Sequence, residues 1–226
     1  MNRIIVALDL PTMEAARRMA ERLSGEVGGF KIGLELLTGV GPSAIEDIAT
    51  LGKPVFADAK LHDIPTTVER AAAHLAATGA RWVTVHVSGG KEMIRAAVSG
   101  MNGGGVLGVT MLTSLAKDDL EEIGVTSAVS DQVVRMSRLA AASGAEGVVC
   151  SPAEVHSLKK LDLGLSIFTP GIRPGGAGHH DQKRVATPAE AAAAGADYLV
   201  IGRPITSAVD PVATAREIAA AIDRVP

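Results

Sequence analysis

Eight times along the chain a short apolar run gives way to a stretch with helical spacing, and this alternation constrains the fold more than any other feature. The runs cover 4–9, 28–33, 54–59, 82–87, 105–110, 147–150, 165–169 and 197–201. The stretches that follow them cover 12–24, 42–51, 64–78, 90–99, 117–142, 152–160, 187–194 and 210–224. Ala15, Met19 and Leu23 illustrate apolar residues recurring at helical intervals. The runs are too uniformly apolar for strands wetted on one face, which indicates a parallel sheet covered by helices. Eight such units predict closure: an α/β fold of the (β/α)8 TIM-barrel type, one domain over residues 1–226. The long 117–142 stretch is expected to hold two helices, broken near Gly124–Ser130.

A barrel predicts that functional side chains gather at the carboxyl ends of its strands. The polar residues fall there: Asp9 after the first run, Lys31 in the second, Asp58 and Lys60 after the third, and His86 after the fourth. Thr110 and Thr113 follow the fifth, Pro170-Gly171-Ile172-Arg173 the seventh, and Gly202-Arg203 the eighth. The seventh loop carries glycines at 171, 175, 176 and 178, and the eighth opens a short helical turn. These are the two loops with which such barrels commonly hold phosphate, through backbone N–H groups and a guanidinium fork. Arg203 is the leading candidate, with Gln182 as an amide contact and Arg173 beside them.

Other chemistries fit the composition poorly. A net charge of -3 does not provide a basic nucleic-acid face, and Trp82, Tyr198 and three Phe leave little for stacking bases. With aromatics at 2%, Ala, Val, Leu and Ile are expected to fill the core. The single Cys150, in an apolar run, reads as a small buried hydrophobe, and Met93, Met101 and Met136 read as core filler. No secretory pattern opens the sequence and no apolar stretch approaches a membrane span, so a soluble cytoplasmic protein is expected.

The densest cluster of chemistry is residues 58–67, Asp-Ala-Lys-Leu-His-Asp-Ile-Pro-Thr-Thr. On a regular strand Asp58 and Lys60 point to the same face. The pattern Asp58, Lys60, His62, Asp63, Ile64, Pro65 and Thr67 resembles the active-site motif of the orotidine 5'-monophosphate decarboxylase family. The resemblance runs over nearly the whole chain. It includes Val-Ala-Leu-Asp ending at Asp9, Phe-Lys-Ile-Gly around Lys31 and Val-Thr-Val-His-Val-Ser-Gly-Gly at 83–90. Val-Thr-Met-Leu-Thr-Ser at 109–114, Thr-Pro-Gly-Ile-Arg at 169–173 and Ile-Gly-Arg at 201–203 complete it, in the order of the shorter bacterial form.

That resemblance implies a pyrimidine nucleotide substrate bearing a ring carboxylate. It implies that Asp9 and Lys31 hold ribose hydroxyls, that Thr113 or its neighbour Ser114 meets the base, and that Pro170, Arg173, Gln182, Gly202 and Arg203 bind the remainder. It also implies a homodimer in which Asp63 and Thr67 enter the partner's site.

Loss of CO2 from the ring C6 leaves an sp2 carbanion with no adjacent π system to accept the charge. No motif for an organic electron sink is evident, so no cofactor is expected. The protein must stabilise the charge with fixed electrostatics and then deliver a proton. Lys60 suits both tasks within an alternating array Lys31–Asp58–Lys60–Asp63.

His62 and His86 beside Asp58 and Asp63 raise a metal site as an alternative. Related barrels sharing D-x-K-x-x-D use magnesium on phosphorylated keto-sugars, but they resemble one another in carrying an acid where this chain has Lys31. No metal is therefore expected. His179-His180 reads as solvated. A non-catalytic nucleotide-binding barrel is the third reading.

Overall fold

A computed structural model describes residues 2–174 and 185–225. Eight parallel strands close into a barrel in chain order: β1 (Ile4–Ala7), β2 (Gly29–Ile32), β3 (Val55–Leu61), β4 (Ala80–His86), β5 (Gly105–Val109), β6 (Gly147–Val149), β7 (Ser166–Thr169) and β8 (Tyr198–Ile201). The seam pairs Ile4 with Leu199 and Val6 with Ile201. Around it run α1 (Met13–Leu23), α2 (Leu34–Gly39), α3 (Ser43–Ala49), α4 (Pro65–Ala77), α5 (Lys91–Met101), α6 (Lys117–Glu122), α7 (Val129–Ala142), α8 (Pro152–Lys159), α9 (Pro188–Ala193), α10 (Arg203–Thr206) and α11 (Pro211–Asp223).

Local chemistry sets the helix starts. The same Ser/Thr-Pro-Ala-Glu device opens both α8 and α9: Ser151 and Thr187 cap, Pro152 and Pro188 take the first helical position, and Glu154 and Glu190 close the capping boxes. The expected break in 117–142 lies between α6 and α7, with Gly124 at φ 82 ending the first helix. α2 was not anticipated; it is one and a half turns long with a single buried residue, Leu36, too little to impose a period.

Two apolar layers result. Aliphatic side chains such as Val6, Ile32, Ala57 and Val83 point outward and pack under the helices. The barrel interior instead holds Ile5, Ala7, Phe56, Trp82, Leu107, Phe168 and Val200. The expected aliphatic filling holds for nearly all of the outer layer, while the interior layer mixes Ile5, Ala7, Leu107 and Val200 with three aromatic rings. Trp82 and Phe168 lie 5.2 Å apart, and Phe168 stacks on Tyr198 at 4.4 Å. Narrow barrels need bulky side chains to leave no void, and the few aromatics are concentrated where that need is greatest. At the amino end Glu146 accepts from the Trp82 indole N–H at 2.7 Å and from Arg81 at 2.8 Å, closing the barrel floor. The open end is the carboxyl end. Among the described residues no helix is long and apolar enough to cross a membrane.

Candidate active site

A cavity of about 500 Å3 occupies the carboxyl mouth of the barrel. Phe56 and Val200, from the interior layer, form its floor. Above them one arc is charged, one apolar and one lined by two arginines and two glycines.

The charged arc comes from three consecutive strands. Lys31, 7% exposed, reaches Asp9 Oδ1 at 2.9 Å and Asp58 Oδ2 at 3.5 Å. Lys60 Nζ meets the same Asp58 Oδ2 at 2.9 Å. The result is a line of alternating sign, Asp9–Lys31–Asp58–Lys60. Burial works to depress the Lys31 pKa, but the carboxylates of Asp58 and Asp9 outweigh it and hold the ammonium above its ordinary value. For Asp58 burial pushes upward, and Lys31, Lys60 and the Thr84 hydroxyl together carry it below the usual carboxylate value. Each buried charge is thus kept by its neighbours.

Gly33 makes room for this line. A β-carbon there would stand 2.6 Å from both Asp9 Oδ1 and Lys31 Nζ. Its backbone is in the extended region, at φ -97, so the requirement is for space and not for a left-handed turn.

Lys60 reaches Asp58 by a route different from the regular strand expected. Its backbone is left-handed, at φ 48, and the β3–β4 pairing jumps from Ala57↔Val83 to Leu61↔Val85. Three residues of β3 oppose the single residue Thr84. The two charges converge because the strand bulges.

Asp63 is not part of the line within this chain. It is exposed, and its Oδ1 accepts the Ile64 N–H at 2.7 Å. The position expected for it is balanced instead at the opposite end by Asp9. Thr67 is also exposed, one turn into α4, and neither residue lines the cavity.

The apolar arc is Val109, Met111, Val149 and Cys150, with Thr113 above it. Thr110 faces away; its hydroxyl donates to Val149 O at 2.9 Å. The third arc brings together Pro170, Gly171, Arg173, Gly202, Arg203 and Thr206. Arg203 opens α10, and Arg173 is buried with Nη1 donating to Ile172 O at 2.9 Å. A single bridge, Ile172 to Ala186, ties the two ends of the glycine-rich loop together. Gln182, His179 and His180 lie outside the described residues.

His62 and His86 approach with ring centroids 5.6 Å apart. Burial lowers the His86 pKa, and His62 and Lys60 add to that effect. Among the described residues no three metal-ligating side chains converge.

Sequence reasoning missed Thr84, Gly33 and Glu35, which also lines the mouth. Thr84 carried a signal: it is the one hydroxyl in the apolar run Trp-Val-Thr-Val, in phase with inward-facing Trp82.

Comparison with known proteins places these features in a family. The model of the orotidine 5'-phosphate decarboxylase / HUMPS family matches residues 2–218. The chain is 52% identical over 223 residues to the orotidine 5'-phosphate decarboxylase of Anaeromyxobacter dehalogenans, covering 98% of each chain. It is 49% identical to that of Paramagnetospirillum magneticum, covering 97% of each. The crystal structure of the Lactobacillus acidophilus orotidine 5'-phosphate decarboxylase superposes with a TM-score of 0.87 at 36% identity, over 99% of this chain and 100% of that one.

Proposed function

We propose, from the premise that this chain belongs to the orotidine 5'-phosphate decarboxylase / HUMPS family, that it converts orotidine 5'-monophosphate to UMP in pyrimidine nucleotide synthesis. The family's description spans two kinds of enzyme, so the choice rests on the closest details of the site. The relatives bearing the decarboxylase name support it. The observation that carries it is the alternating line Asp9–Lys31–Asp58–Lys60 across a cavity from Arg203. A magnesium-dependent reaction on a keto-sugar phosphate needs an anionic pocket for the cation. Here the Lys31 ammonium already stands between the two carboxylates that would form one.

In this reading the phosphate is held by Arg203 with Arg173, Gln182, Gly202 and Pro170. Asp9 and Lys31 take the ribose hydroxyls, and Thr113 or Ser114 takes the base. Asp58 faces the substrate carboxylate. The bond from C6 to the carboxylate breaks, its electron pair stays on C6, and CO2 departs. Lys60 Nζ stabilises that pair as an ammonium and then transfers a proton to C6, leaving UMP and an amine that solvent reprotonates. No metal or organic cofactor enters. Mutual ion pairs hold these groups in place, so little reorganisation accompanies the step.

A second copy of the chain supplies Asp63 and Thr67 to each site in a homodimer. The exposure of both residues, with Ile64 between them 68% exposed, supports this arrangement. The cytoplasm is the compartment proposed for this reaction.

The test is the loss of ultraviolet absorbance of orotidine 5'-monophosphate on adding EDTA-treated protein. Conversion to UMP is expected. Tight UMP binding without conversion would replace the reading with a binding protein. Turnover of a keto-sugar phosphate only when magnesium is restored would replace it with the other branch of the family.

A further inference from the structure

Among the described residues three non-glycine positions have positive φ: Lys60, Asn102 and Asp162. Asn102 caps α5, and Asn and Asp tolerate that conformation because their short side chains bond locally. Lys60 has no such property, and it lies within a strand. Something outside its own side chain must hold it there.

The only residue of β4 opposite the bulge is Thr84, since Val83 pairs with Ala57 and Val85 with Leu61. Thr84 is fully buried, so water does not compete for its hydroxyl. Lys60 N–H donates to Thr84 Oγ1 at 2.9 Å, and Thr84 Oγ1 donates to Asp58 Oδ1 at 3.0 Å. A hydroxyl has one proton. With one lone pair filled by Lys60 N–H, that proton is committed to Asp58 Oδ1. The other carboxylate oxygen, Oδ2, is the one that meets both Lys60 and Lys31.

We propose that Thr84 is a positioning residue for the decarboxylation: its hydroxyl clamps both ends of the β3 bulge, fixing the left-handed backbone of Lys60 and the orientation of the Asp58 carboxylate in one contact. Thr84 touches no reacting atom. It decides which oxygen of Asp58 faces the ammoniums and where the proton donor begins its reach. Neither neighbouring strand residue can substitute, because Val83 and Val85 point away into the outer layer.

This inference rests on the proposed decarboxylation, and the test separates the two. Thr84→Val keeps the shape and removes the hydroxyl; Thr84→Ser keeps the hydroxyl and removes a methyl. Turnover of orotidine 5'-monophosphate and UMP affinity are measured for wild type and both variants. In Thr84→Val, kcat is expected to fall about a hundredfold, as misplacement of catalytic groups by about 1 Å can do, while UMP affinity stays within about threefold. In Thr84→Ser, kcat is expected to return to within about threefold of wild type.

The acid limb of the Thr84→Val profile moves to higher pH, because Asp58 loses a donor to its ionised form. A merely structural threonine would move stability and leave that limb in place. Wild-type kcat retained in Thr84→Val would overturn the inference while leaving the reaction standing. An inactive wild type would remove the reaction and the inference with it. Should Thr84→Val not fold, Ser and Ala are compared at 84: kcat at least about tenfold higher for Ser supports the clamp, and equal values overturn it.

Discussion

Lys60 Nζ stands 2.9 Å from Asp58 Oδ2 across a bulge in the strand that carries both residues. Lys60→Ala keeps the β-carbon and so the same backbone cost at φ 48, while removing the ammonium. Turnover is expected to fall by at least about three orders of magnitude, the combined scale of a proton donor and a fixed charge. Binding of UMP, measured by titration calorimetry, is expected to stay within about threefold. Activity within about tenfold of wild type would remove Lys60 from the role of proton donor.

Asp58 is shared by two ammoniums, so its charge matters to folding as well as to chemistry. Asp58→Asn keeps the shape and leaves Lys31, almost fully buried, with Asp9 alone. A loss of about 3 kcal/mol in urea unfolding is expected, the scale for stripping a partner from a buried charge. The pH dependence follows from the two shifts. The Asp58 pKa is lowered from 3.8, so its stabilisation is present above that value and disappears as pH falls through the folded value. The Lys31 pKa is raised from 10.5, so its stabilisation is complete below that value and disappears as pH rises through the folded one. In Asp58→Asn the acidic contribution vanishes and the alkaline one shrinks. An unfolding profile with both limbs unchanged would contradict the pairing.

Gly33→Ala tests whether the charged line is space-limited. The backbone accepts alanine, but its β-carbon meets Asp9 and Lys31 at 2.6 Å, so their polar ends must move. An unfolding midpoint close to wild type is expected together with a loss of about tenfold or more in kcat/KM. An unaffected kcat/KM would mean that the line has slack.

Arg203 is assigned to the phosphate, which predicts a selective effect. In Arg203→Ala, UMP affinity is expected to drop about 30-fold or more, the value of one or two charge-assisted hydrogen bonds. Uridine, lacking the phosphate, binds both proteins equally in that case. Equal losses for the two ligands in competition binding would show that Arg203 serves the mouth in some other way.

The barrel was legible because its signal is redundant: eight strands each declare themselves by a mostly apolar run, and a slip in one does not erase the others. That Asp9, Lys31, Asp58, Lys60, Thr113, Arg173 and Arg203 line the mouth was legible for a related reason, since a barrel gathers the polar residues of its strand ends there. The bulge at Lys60 was not. A left-handed lysine follows from tertiary pairing with β4, and nothing in Asp-Ala-Lys itself prefers it. Gly33 was equally hidden, because a glycine needed for space looks like a glycine needed for a turn until its neighbours are known. The concentration of Phe56, Trp82, Phe168 and Tyr198 within the barrel also depends on which face of each strand turns inward, which composition does not record.

The seam where β1 pairs with β8 runs between the arc of Arg173 and Arg203 and the charged arc. The two arcs are neighbours in space and lie at opposite ends of the polypeptide. During synthesis the ribosome therefore delivers Asp9, Lys31, Asp58 and Lys60 long before Arg203. Without β8 those four side chains would border an unclosed sheet whose inner face is open to water, where charges influence one another weakly. The shifted proton affinities of Lys31 and Asp58 depend on the closed barrel. A chain without its last strand thus carries every charge of the line without its electrostatic character, and the closing step that completes the fold also sets the field at the mouth.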